Sequence, residues 1–226
     1  MYYGFDPTFI LMIPAIILTL YAQMKVKTTF EKYLRVQSKR GYTGAQVAEY
    51  MLHSNGIDNV RIEMVQGHLS DHYDPRSKVL RLSRDVYAGT SIASVSVAAH
   101  EVGHAIQHAH GYAPLQIRSM LVPVANLGSS LAWIFIMAGF IISPAFLDIG
   151  ILLFLGAVLF QIVTLPVEFN ASSRALAGLE SGSIVYPDEI RYSKRVLNAA
   201  ALTYVAAAAA AVMQLIRLLV LRNQRD

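Results

Sequence analysis

Residues 120–142 (MLVPVANLGSSLAWIFIMAGFII) and 145–167 (AFLDIGILLFLGAVLFQIVTLPV) are two long apolar stretches separated by Ser143 and Pro144 alone. Each is long enough to cross ~30 Å of hydrocarbon as a helix. With two residues between them they read as a helical hairpin. Residues 9–21 (FILMIPAIILTLY) form a further apolar run, and residues 197–221 are alanine-rich with Arg217 among them. Alanine gains little from lipid, so the last segment reads either as a span or as a helix buried against the others. The 54% hydrophobic content of the 226 residues agrees with a chain of three or four transmembrane helices.

Charge sets the orientation. No lysine or arginine precedes residues 9–21, whereas Lys25, Lys27, Lys32, Arg35, Lys39 and Arg40 follow. The positive-inside rule then places the N-terminus outside and the chain after about residue 23 in the cytoplasm. The hairpin leaves and returns, with its Ser143–Pro144 tip outside, and Arg174, Arg191, Lys194 and Arg195 follow the return. If the last segment also spans, Arg222 and Arg225 end up outside, against the rule. The start, MYYGFDP, lacks the charged region of a cleavable signal peptide. The absence of cysteine excludes disulfides and thiolate metal sites, and fits a reducing cytoplasm. The net charge of +4 lies mainly beside the membrane, as an anchor against anionic lipid would. No basic patch is interleaved with aromatics, so nucleic acid is not an expected partner.

The expected cytoplasmic part begins with an amphipathic helix over residues 24–40. Thr43 is placed to cap a short helix over 44–55, which Gly56 would end. Residues 59–65 (NVRIEMV) and 78–83 (KVLRLS) read as two strands joined by the polar stretch GHLSDHYDPRS, and residues 84–89 as a connector. A helix then starts near Thr90 or Ser91 and runs to a cap at Gly111.

That helix carries His100-Glu101-Val102-Gly103-His104, the pattern HExxH. Positions i and i+4 lie one above the other on a helix, so both imidazoles can reach one metal ion. Glu101 sits about 100° round and can touch a metal-bound water without ligating the metal. Zinc lowers the pKa of such a water to about 7, and the carboxylate takes its proton as it attacks a carbonyl. With seven histidines and seven glutamates in the chain, chance would produce the pattern roughly once in 150 such sequences. The uncharged neighbours Ala98, Ala99, Val102, Ala105 and Ile106 are what a core-packed helix with one metal edge requires.

Catalytic zinc usually has three protein ligands. His108 lies about 12 Å along the axis from His100, too far to share an ion with it. His110 stands where the pattern HExxHxxGxxH puts its third histidine, but Gln107 replaces the glycine that would turn the chain back. Glu168 is the stronger candidate. Gln161 and Thr164 lie seven and four residues before it on one helix face, and a carboxylate at the mouth of a span is costly unless it is paired or metal-bound. Glu168 facing water, or paired with Arg174, is the alternative.

The segments AAHEVGHAIQH, GHLSDHYDP and PVEFNASSRAL, with the order of spans, resemble the YugP-type family of bacterial membrane-bound neutral zinc metallopeptidases. More distantly, the layout is similar to the gluzincin membrane proteases of the heat-shock and CAAX-prenyl type. The resemblance implies a mainly α, zincin-like membrane endopeptidase with a small β-sheet. It implies Zn2+ held by His100, His104 and Glu168, with Glu101 as general base. The distant relatives tend to carry an aspartate four residues after the glutamate, where this chain has Ser172, so an aspartate that fixes a histidine tautomer must come from elsewhere or be replaced by a hydroxyl or Asn170.

The oxyanion-stabilising group is sought among His68, His72, Tyr73 and Arg174; His68 and His72, with Asp71 and Asp74, read either as a capped, solvated turn or as a rim of the cleft or a second metal site. If KVLRLS is an edge strand, an extended substrate could add to it. The expected organisation is an anchor over 1–23, a catalytic region over 24–118, the hairpin over 119–167, a third-ligand region over 168–196 and an alanine-rich helix over 197–221. The expected activity is cleavage of membrane or membrane-proximal proteins at the cytoplasmic face of the cell membrane. A non-catalytic zinc scaffold has no use for Glu101, and metal transporters place their ligands near the bilayer midplane.

Overall fold

The computed structural model describes residues 7–224. The first six residues of the expected anchor, and Arg225, lie outside the described residues. The chain is 76% helical with one small sheet, and it divides into two compact units. One takes in the chain up to Gln23, Ile117–Leu165 and everything from Thr203; the other comprises Met24–Gln116 and Pro166–Leu202.

The first unit is built from stretches of four long helices, α1 (Ile13–Leu34), α5 (Ala113–Ile141), α6 (Pro144–Ser181) and α7 (Pro187–Asn223). All four are long and apolar enough to cross a membrane, α1 together with the 3-10 turn Pro7–Met12 that precedes it. The alanine-rich segment is therefore part of a fourth helix of spanning length. Ala132, Ile136, Leu147, Phe154, Val158 and Leu218 form the packed interior. At Gly150 a Cβ would fall 2.7 Å from Ile136 Cγ1 and 2.8 Å from its backbone nitrogen, so α5 and α6 approach at a distance only a small residue allows. Arg222 Nε lies 2.9 Å from Asp148 Oδ1, close to the hairpin tip. Arg217 donates from Nε to Thr8 Oγ1 at 3.2 Å, near the other chain end.

In the second unit, α2 (Gly44–Ser54) starts at Thr43 with a reciprocal capping box to Gln46, as expected. The sheet has three strands rather than two: β1 (Arg61–Val65), β2 (His72–Asp74) and β3 (Val79–Ser83). Their order is β1-β3-β2, with β1 parallel and β2 antiparallel to β3. KVLRLS is therefore the central strand and not an edge, and a substrate cannot add to it. Leu80 and Leu82 are fully buried, as central placement demands. The expected connector contains a helical turn, α3 (Arg84–Tyr87).

The helix α4 (Ile92–Ala109) runs through the middle of this unit. Ser91 caps it, accepting from the Ser94 backbone at 3.1 Å, and Gly111 follows its end with a φ of 63°. Val95, Ala98, Ala99, Val102, Ala105 and Ile106 belong to one core with Met51 of α2, Leu80 and Leu82 of β3, Ala175 and Leu179 of α6 and Leu197 of α7. A helix covered on so many sides has little freedom to shift, and that rigidity is passed to the side chains on its remaining edge.

Candidate metal centre

The edge of α4 outside that core carries His100 and His104, each 12% exposed, whose rings meet edge to face with centroids 4.8 Å apart. The third element is α6. At Gly103 a Cβ would stand 2.5 Å from the Ala171 carbonyl oxygen, so the glycine between the two histidines is what lets the α6 backbone come this close. Ala171 is three residues after Glu168, and the close approach delivers that carboxylate to the imidazoles. Glu168 Oε2 lies 3.3 Å from His100 Nε2 and 3.6 Å from His104 Nε2, with Glu168 only 2% exposed.

One ligand atom from each of His100, His104 and Glu168 lies within 4.8 Å of the other two. Ligands about 2.1 Å from a tetrahedral ion stand about 3.4 Å from one another, so the two separations from Glu168 match the edges of a zinc tetrahedron. Two imidazoles and one carboxylate are also the donor types zinc accepts. Burial alone would lower the pKa of His104, but the bond to Glu168 and the charge of Glu101 outweigh it and hold the pKa above the ordinary value. The pull on that proton is the pull a divalent cation would feel in its place.

The Nδ1 atoms face away from this centre. His100 Nδ1 meets Ser172 Oγ at 3.2 Å, and His104 Nδ1 meets Gln107 Oε1 at 3.0 Å. Ser172 thus reaches His100. Asn170 is linked to the other histidine, through Gln107 Nε2 at 3.0 Å. Gln107 was legible only as the missing metzincin glycine. The available signal was its polarity, three residues after His104 among Ala105 and Ile106.

Glu101 is 8% exposed and lies close enough to Asp71 for its charge to act there. Burial pushes the Asp71 carboxyl above the ordinary range, against two hydrogen bonds from Ser83, and Glu101 adds to the rise. The other sequence candidates have polar contacts of their own. His68 stacks edge-on against Phe30 and lies 3.5 Å from Asp85. His72 Nδ1 is 2.8 Å from the Ser70 carbonyl, and the Tyr73 hydroxyl is 2.8 Å from His108 Nδ1. Arg174 Nε donates to Asn170 Oδ1 at 2.8 Å. His110 caps α4 and is exposed.

Residues 8–223 match the family model described as "Putative neutral zinc metallopeptidase". A protein of Bacillus subtilis (strain 168) described as "Putative membrane protease YugP" is 46% identical over 218 residues, covering 96% of this chain and 97% of that one. No solved structure matches the chain.

Proposed function

The chain belongs to the YugP-type neutral zinc metallopeptidase family, and from that membership we propose that it is a membrane-bound endopeptidase with its site facing the cytoplasm. The observation that carries the reading is the convergence of His100 Nε2, His104 Nε2 and Glu168 Oε2 beside a carboxylate, Glu101, that stands outside the ligand group. His100, His104 and Glu168 would hold the ion. Zinc bound there supplies Lewis acidity, enough to bring the pKa of water to about 7. Glu101, one residue after His100 and turned about 100° from it on the helix, takes the proton from the attacking water. It then gives that proton to the amide nitrogen as the peptide bond breaks. Ser172 and Gln107 hold the two imidazoles by their Nδ1 atoms. The substrate in this reading is a segment of a membrane or membrane-proximal protein. The cytoplasmic facing is supported by the basic residues after Gln23 and after the hairpin.

The test compares zinc content and cleavage of a denatured protein, in detergent, for the wild type, Glu101→Gln and Glu168→Ala. Glu101→Gln is expected to keep zinc and to lose activity by at least about a hundredfold, the usual scale for a general base. Glu168→Ala is expected to lose both. Equal zinc in all three proteins would remove Glu168 from the ligand set, and full activity in Glu101→Gln would remove the base.

A further inference from the structure

Gln107 stands three residues after His104 on α4 and is completely buried. Its amide has only one possible orientation. Nε2 donates to the Val167 carbonyl at 2.8 Å and to Asn170 Oδ1 at 3.0 Å. A backbone carbonyl can only accept, so the amide nitrogen must face α6 and Oε1 must face His104 Nδ1, 3.0 Å away. Oε1 also only accepts. The hydrogen of a neutral His104 therefore sits on Nδ1, and its lone pair sits on Nε2, the atom directed at Glu168.

Asn170 is fixed in turn. Its Oδ1 takes a second hydrogen bond, from Arg174 Nε at 2.8 Å, which settles the direction of that amide as well. The result is a chain of donors and acceptors, buried at Gln107 and partly buried beyond it, that runs from His104 through Gln107 and Asn170 to Arg174. It grips α6 at Val167 and Asn170, on either side of Glu168. On the other histidine the contact is less selective, because the Ser172 hydroxyl, 3.2 Å from His100 Nδ1, can donate or accept.

Resting on the metallopeptidase reading above, we infer that Gln107 is a positioning residue of the metal centre. Through Oε1 it sets the tautomer and ring plane of His104, and through Nε2 it keeps Glu168 in register with the α4 ligands. A side chain with one acceptor and two donors is needed to do both at once, which is what an amide provides. Leucine keeps roughly the volume and loses all three bonds. Glutamate keeps the acceptor for His104 and loses both donors.

Full-length wild type, Gln107→Leu and Gln107→Glu, stripped of metal in detergent, are titrated with zinc against a chromogenic chelator, and their cobalt(II) spectra are recorded. Removing a group that orients a metal-bound histidine typically weakens metal binding by about 10–100-fold, and that loss is expected for Gln107→Leu. Gln107→Glu is expected to bind at least about tenfold more tightly than Gln107→Leu, with shifted visible cobalt bands, because a carboxylate on Nδ1 makes the imidazole more basic. Leucine binding zinc as tightly as wild type, glutamate binding no better than leucine, or cobalt bands of Gln107→Glu identical to wild type would each overturn the inference. Should Gln107→Leu fail to fold, the cobalt comparison between wild type and Gln107→Glu decides. Wild type that takes up no zinc would overturn the metallopeptidase reading itself, and this inference with it.

Discussion

Trp133, Ile134 and Leu152 are 50%, 64% and 70% exposed in the four-helix unit, whereas Leu80, Leu82 and Ile92 are fully buried in the unit that carries the sheet. Both units are rich in apolar residues, and they distribute them in opposite directions. Large apolar side chains on the outside have no driving force in water and are at rest in hydrocarbon, so the helices of the first unit must hold together by close packing of small residues such as Gly150. The second unit collapses as a water-soluble domain does, around α4. The difference teaches why the chemistry sits where it does. A carboxylate as buried as Glu168 is tolerable only where tightly packed helices hold partners against it, and the water-type core supplies that rigidity.

The sharpest way to break this contrast is a pair of equal truncations. Leu82→Ala removes a fully buried side chain from the central strand, and should cost about 2–5 kcal/mol in unfolding titrations in detergent. Leu152→Ala removes the same atoms from an exposed face of α6 and should cost less than about 1 kcal/mol. Equal losses would mean that the Leu152 face is covered by protein, as in an oligomer, rather than by lipid.

A second pair separates packing from chemistry. Alanine at Gly103 would meet the Ala171 carbonyl oxygen, and alanine at Gly150 would meet Ile136. Each should destabilise by about 1–3 kcal/mol through overpacking. The Gly103→Ala protein should also lose zinc affinity and turnover, because the displaced helix carries Glu168. Gly150→Ala should leave both unchanged in the folded fraction, measured as zinc per folded protein and kcat. A Gly103→Ala enzyme with wild-type zinc affinity would show that the close approach does not place the third ligand.

These two pairs mark what could be read in advance. HExxH and its helix were legible because everything they need is local: a spacing of four, apolar neighbours, and a serine cap at Ser91. Glu168 was legible through hydropathy, since the hairpin returns it toward the helix that carries the histidines. The strand β2 was not, because His72–Asp74 is short, polar and embedded in residues that signal a turn; it forms because β3 offers it a ladder. The role of Gln107 was hidden for a different reason. Its partners Val167 and Asn170 are 60 and 63 residues away, and periodicity on α4 carries no information about them.

The smallest expected effect bears on the first unit alone. Arg222 and Asp148 pair at 2.9 Å with about half of each side chain exposed, so Arg222→Gln should change stability by about 0–1 kcal/mol. Its value lies in topology. The chain has no cysteine, so single cysteines placed at Ser143 and Arg222 can be labelled with a membrane-impermeant thiol reagent without background. A pair this short puts the end of α7 beside the hairpin tip, and both positions should react from outside intact cells, while a cysteine at His68 should react only after lysis. Labelling of position 143 without position 222 would mean that α7 does not cross. Labelling of position 68 in intact cells would place the metal centre outside, and the positive-inside reading would fall while the zinc chemistry stood.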